Sequence, residues 1–207
     1  MTLSLAPIRK IAHPQAADIC ALVALSHDAK AYLTPGLSPQ GFLALLDRDG
    51  HFADAVRFLA FALPVREGVW WASVTGLAIP GACSAEPDPA YSAAQDWVYE
   101  STDARRFACL AAAEAVQSAT PGAYAALAAF WSGGSMAPEG LPEVQPDPVL
   151  APTGIAASIL LAVAAGDPAE APRFFRDAIR RGIDIGQGGD GRLGAAPQSS
   201  STSKVLR

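Results

Sequence analysis

Gly133-Gly134-Ser135-Met136-Ala137 is the string that comes nearest to enzyme chemistry. It approximates a G-x-S-x-G nucleophile elbow, in which a strand-to-helix turn lifts a serine hydroxyl toward a carbonyl carbon. Its surroundings predict something else. An alanine-rich helical stretch ending in Phe130-Trp131 runs into it, Pro138 follows, and His13, His27 and His51 all precede the serine, against the chain order of α/β-hydrolases. Gly133 or Gly134 reads better as a helix C-cap. Asp47, Asp49, Asp54 and Glu67 could support acid-base chemistry if the fold gathered them. However, Asp47-Arg48-Asp49-Gly50 also has the composition of a helix end and the turn after it.

Metal chemistry needs converging His, Cys, Asp or Glu, and His27-Asp28 with His51 and Asp54 is the nearest approach. There is no H-E-x-x-H and no paired-cysteine spacing, and His51 directly after Gly50 reads as a capping or surface residue. The glycines from Gly186 to Gly191 lack the Gly-Lys-Ser/Thr ending of a phosphate-binding loop. The sequence therefore assigns no catalytic residue, no cofactor and no metal.

Partner contact is the remaining chemistry. Adjacent residues on a helix point about 100° apart, so Trp70 and Trp71 cannot both reach the same depth of one core face. Tryptophan and arginine are enriched at binding hot spots, which makes Trp70 or Trp71 with Arg66 a candidate contact, although core packing is the commoner use of such rings. The Gly/Pro-rich stretch from Ser132 to Gln145 is long for a loop in a compact domain, and it adds Trp131, Ser135 and Met136 to the candidates.

These groups must be positioned by a chain of 207 residues, 51% hydrophobic and 17% charged, a composition that folds into one core with extensions. A net charge of -5 argues against nucleic acid or an anionic membrane as partner. Arg173, Arg176, Arg180 and Arg181, interleaved with Asp177, read as a solvated helix face whose last turn complements the helix dipole. Three cysteines without a CxxC pair suggest a reducing compartment. Arg9 and Lys10 follow the first apolar residues rather than precede them, unlike a secretory signal, so the expected location is the cytoplasm. The apolar run Ile155 to Ala165 is shorter than a membrane span and reads as a buried helix.

A small polar residue followed by proline recurs at Ser38-Pro39, Asp88-Pro89, Thr120-Pro121, Asp147-Pro148 and Asp167-Pro168. Each reads as an N-cap and first helical position, where proline's missing donor does no harm. Helices are expected near 14–32, 39–47, 51–62, 64–77, 89–100, 103–118, 121–131, 152–165 and 168–181. β-branched residues never alternate as a strand requires. The fold class is thus all-α: a compact bundle of about eight to nine short helices over 13–182, after an N-terminal extension at 1–12 and before a Gly/Ser-rich, disordered tail at 183–207. In 51–62, Phe52, Val56, Leu59 and Leu63 form the apolar face, with Asp54 and Arg57 on another. Asp54-Ala55-Val56-Arg57-Phe58 and Asp103-Ala104-Arg105-Arg106-Phe107 share Asp-Ala-x-Arg-Phe, which leaves helical-hairpin repeats open beside chance similarity.

The strings from Phe58 to Ala72, containing Pro64-Val65-Arg66-Glu67-Gly68-Val69-Trp70-Trp71, and from Ala129 to Pro138 resemble an uncharacterised bacterial domain family associated with type VI secretion loci. The likeness covers roughly Phe42 to Ala165 and implies no active site. It implies a cytoplasmic accessory protein that loads, folds or tethers a secreted effector or spike component. Gly68 stands where the family's tryptophan helix leads one to expect alanine. Two other readings stay open: an enzyme with an unconventional site at Ser135 or the four carboxylates, and a structural subunit of a larger assembly.

Overall fold

Side-chain caps set the helix starts. In the computed structural model, which describes residues 6–83, 88–116, 120–138 and 140–193, the Ser38 hydroxyl accepts from the Gly41 amide at 3.2 Å and opens α3, Pro39–Arg48. Asp88 accepts from the amides of Ala90 and Tyr91 at the start of α6, Pro89–Tyr99, and Thr120 from that of Ala123 at the start of α8, Pro121–Phe130. The other two Asp-Pro pairs cap shorter turns. Asp167 holds a single 3₁₀ turn, Pro168–Glu170, ahead of the long α10, Ala171–Gln187. Asp147 accepts from Val149 just before α9, Leu150–Ala165. Among the described residues every regular element is helical.

The stretch expected as one helix over 14–32 is two. α1, Ala16–Cys20, ends before α2, His27–Lys30, because Ser26 starts a new helix: its hydroxyl accepts from Ala29, while its amide and hydroxyl both donate to Asp54. Asp54 lies in α4, Phe52–Ala62, and is buried rather than on a solvated face. A carboxylate held by two donors, with Arg57 3.7 Å away, can be buried without being orphaned.

Alanine lets the remaining helices approach closely. α8 packs against α9, against α6 and against α7, Asp103–Ala115, and presents Ala125, Ala126, Ala128 and Ala129 fully to the core. At Gly154 of α9 a Cβ would meet the Ala128 Cβ at 3.1 Å. Gly68 does not interrupt α5, Val65–Gly76; it admits Ile155 of α9, whose Cδ1 would stand 2.4 Å from an added Cβ. α9, the apolar run, is a 16-residue core helix, and among the described residues no helix is long and apolar enough to cross a membrane.

α10 continues past Arg181, where the sequence reading ended it. Gly182 and Gly186 are packing positions rather than breakers: a Cβ on the first would meet Leu59 Cδ2 at 2.6 Å and Trp71 Cε2 at 2.8 Å, and on the second Ile8 Cγ2 at 2.4 Å. The helix stops at Gly188, whose φ of 104° is the left-handed conformation glycine supplies at a C-cap. The N-terminal segment joins here, with Ile8 buried and the Lys10 amide donating to the Gly186 carbonyl at 2.9 Å. Of the Gly/Ser-rich tail expected at 183–207, residues 183–187 are helix and 188–193 fold back against the body, while 194–207 lie outside the described residues.

The Asp-Ala-x-Arg-Phe pentapeptides each form an i,i+3 ion pair but bury opposite members. In the first the aspartate is inside and Arg57 is 41% exposed; in the second Asp103 is 79% exposed and Arg106 is inside.

Candidate functional site

Helical geometry separates the paired tryptophans of α5. Trp71 is fully buried, its Nε1 donates to the Ala178 carbonyl at 2.7 Å, and its ring packs against Gly182. As a direct surface contact Trp71 is therefore corrected: its indole joins α5 to α10 inside the core. Trp70, the next position round the helix, is half-buried at the edge. Its Nε1 donates to the Asp190 carbonyl at 2.8 Å, Tyr99 meets it edge-on at 5.8 Å, and the Arg192 guanidinium lies 5.7 Å from its ring centre.

Trp70 and Tyr99 stand over a groove of about 390 Å³ that runs between α5, the end of α6 and the 188–193 turn. Arg66 enters its wall and donates through Nε to the Val98 carbonyl at 2.7 Å, one of the carbonyls that a helix C-terminus leaves without an intrahelical donor. Lys10 and Glu67, 3.0 Å apart, close one end. Tyr99 is 71% exposed and forms an aromatic pair with Trp70 at the edge of the groove. Tyr99 is not among the contact candidates the sequence offers. The available signal was its place as the last residue of α6, before the polar Glu100-Ser101, where no following turn covers it.

Trp131, Ser135 and Met136 belong to a different neighbourhood. Trp131 caps α8 and is half-buried. The Ser135 hydroxyl oxygen accepts from the amides of Ala137 at 3.0 Å and Val144 at 3.1 Å, and the Met136 amide donates to the Val144 carbonyl at 2.7 Å. Arg106 secures this loop from α7, donating through Nη2 to the Ser135 carbonyl at 2.6 Å and through Nη1 to the Phe130 carbonyl at 3.0 Å. Its guanidinium carbon lies about 5 Å from the ring centres of Phe107 and Phe130. Two amides thus hold the Ser135 oxygen in a loop-bracing role. The loop leaves Leu141 and Val144 exposed.

The four carboxylates have separate partners. Glu67 pairs with Lys10, Asp54 with Ser26, and Asp47 is buried with Arg176 3.7 Å away and its Oδ1 without a hydrogen bond. Asp49 takes two bonds from Arg48, at 2.7 and 2.6 Å, and these, with the Tyr32 hydroxyl, hold its carboxyl well below the usual carboxylate range. His51 lies against the Tyr32 ring, centroids 5.5 Å apart. Among the described residues no group of three or more His, Cys, Asp or Glu gathers as metal ligands would. Burial pushes the Cys109 thiol up to about 12, so it is protonated at neutral pH and poorly nucleophilic.

A family model matches residues 42–186, from α3 almost to the end of α10, and it describes a family of unknown function, DUF6931. The chain belongs to the DUF6931 family. The match spans the strings from Phe58 to Ala72 and from Ala129 to Pro138 and continues over α10. Within the DUF6931 region lie Arg66, Trp70, Val98 and Tyr99 of the groove, whereas Lys10 and Asp190 lie outside it. No curated protein and no solved structure matches the chain.

Proposed function

We propose that this DUF6931 chain is a non-enzymatic protein-binding accessory factor, an adaptor or chaperone that handles a secreted effector or spike component of a type VI secretion system in the cytoplasm. The observation that carries the protein-binding part is Tyr99, 71% exposed and edge-on to Trp70 above the Arg66 groove. Beside it Trp70 and Arg66, already fixed by hydrogen bonds, would lose little entropy when a partner covers them, and such residues are frequent binding hot spots. The secretion context rests on the resemblance of the two tryptophan strings alone.

The test is capture of partners by the full-length tagged chain from its native cells, repeated with Tyr99→Ala and Trp70→Ala. The expected result is an effector or spike protein retained by the wild type and depleted at least tenfold by each variant whose thermal unfolding shows it folded. Retention of no secretion component, or equal retention by both folded variants, would sink the proposal.

A further inference from the structure

A second cavity, of about 440 Å³, lies between the end of α5 and one face of α10, and it shares no lining residue with the Trp70 groove. Its volume falls in the range of small-molecule sites, roughly 300–1,000 Å³. Arg173, Asp177, Arg180 and Arg181 line it at helical spacings of four, seven and eight, so they share a face of α10. Arg176 is turned away from this face, its guanidinium 4.9 Å from the Phe52 ring centre. The four arginines expected on one solvated helix face are thus divided by the fold.

Three arginines against one aspartate make this hollow locally positive in a chain whose net charge is -5. Arg173 is paired with Glu170, and Arg180 stands 3.4 Å from Asp177. Arg181 forms no ion pair within 4.0 Å among the described residues; its Nη1 donates to a neutral group, the Gly191 carbonyl, at 2.7 Å. Partial burial draws its pKa down, outweighing the opposing pull of the nearby Asp177 carboxylate. Three of the last four α5 carbonyls, those of Ser73, Thr75 and Gly76, already accept from the Leu77, Ala78 and Ile79 amides in the turn that follows. The α5 side contributes Thr75, whose buried hydroxyl has no hydrogen bond, and the apolar Ala78 and Ile79, while Phe174 adds its ring from α10 itself. Ile79 and Phe174 belong to a small buried cluster separate from the main core.

We infer that this cavity binds a small organic oxyanion, a carboxylate or phosphate on a compact apolar body, with the head on Arg181 and Arg180 and the body against Ile79 and Phe174. Guanidinium groups meet such oxyanions through two parallel N–H donors, a geometry an ammonium cannot supply. The site is independent of the proposed partner groove, and either can fail without the other.

The test is titration of the full-length protein at low salt with phenyl phosphate, benzoate, inorganic phosphate and uncharged benzyl alcohol. It is followed by calorimetry and by amide shifts, and repeated on Arg181→Met, Arg180→Met and Arg176→Met. Saturable binding of phenyl phosphate or benzoate is expected, at least tenfold tighter than benzyl alcohol, with shifts concentrated at 75–79 and 173–181. Whichever of the two aromatic anions binds more tightly names the head group. Arg181→Met should weaken binding at least tenfold and Arg176→Met less than twofold; if Arg181→Met does not fold, Arg180→Met carries the test with a loss of at least threefold. No saturable binding, benzyl alcohol as tight as the anions, inorganic phosphate alone, or equal losses in the pocket and Arg176 variants would each overturn the inference.

Discussion

At the scale of the residue, two neighbouring indoles do opposite jobs. Trp71 fills the junction of α5 and α10 and ties the helices by its bond to the Ala178 carbonyl, so Trp71→Ala removes a large buried ring and that bond. Truncating a buried aromatic residue costs about 3–5 kcal/mol, a large share of a typical domain's stability. Trp70→Ala removes a half-buried ring at the groove and should cost no more than about 1–2 kcal/mol. Urea unfolding followed by circular dichroism checks the contrast: a clearly lower midpoint for Trp71→Ala and a small shift for Trp70→Ala. Equal shifts would mean that the two rings do not divide the work between core and surface. That Trp70 and Trp71 must part was legible from helical geometry. Which one turned inward was not, because the choice depends on Gly182 of α10, 111 residues further on, leaving room for the ring.

At the scale of the element, the caps were the most legible feature. A hydroxyl or carboxylate before proline acts within four residues, so Ser38, Asp88 and Thr120 announce α3, α6 and α8 without help from the rest of the molecule. The break between α1 and α2 was hidden because its cause is Asp54, 28 residues beyond Ser26. The end of α10 was hidden for a related reason: Gly182 and Gly186 resemble helix breakers locally and act as close-packing positions in the fold. Asp54 makes the nonlocal term measurable. Asp54→Ala takes the acceptor from the Ser26 amide and hydroxyl and should cost about 1–3 kcal/mol, the range for a buried donor left unsatisfied. Hydrogen exchange should then quicken in α1 and α2 more than in α8 and α9. Uniform acceleration would show that the Ser26–Asp54 bonds are not what anchors the first two helices.

At the scale of the whole molecule, the last turns of α10 join the two ends of the described chain. Ile185 is 1% exposed, Gly186 receives Ile8, and the Gly186 carbonyl takes the Lys10 amide. The turn beyond them supplies the Asp190 carbonyl to Trp70 and the Gly191 carbonyl to Arg181, so the groove and the arginine cavity both depend on residues a composition-based boundary at 182 would assign to a tail. A chain ending at Arg181 should therefore do more than lose an appendage. Deleting Ile185 alone removes apolar burial worth roughly 2–3 kcal/mol, and the uncovered Ile8 and Leu63 add to that. The expected outcome is a fall in melting temperature of at least about 10 °C, since about 1 kcal/mol shifts a domain of this size by roughly 2–4 °C. Exchange should also quicken around residues 8–11, far from the cut in sequence and adjacent to it in space. A truncated chain that melts with the full-length protein would place the stabilising boundary of this DUF6931 domain at Arg181 and remove the physical basis for including 182–193 in either site.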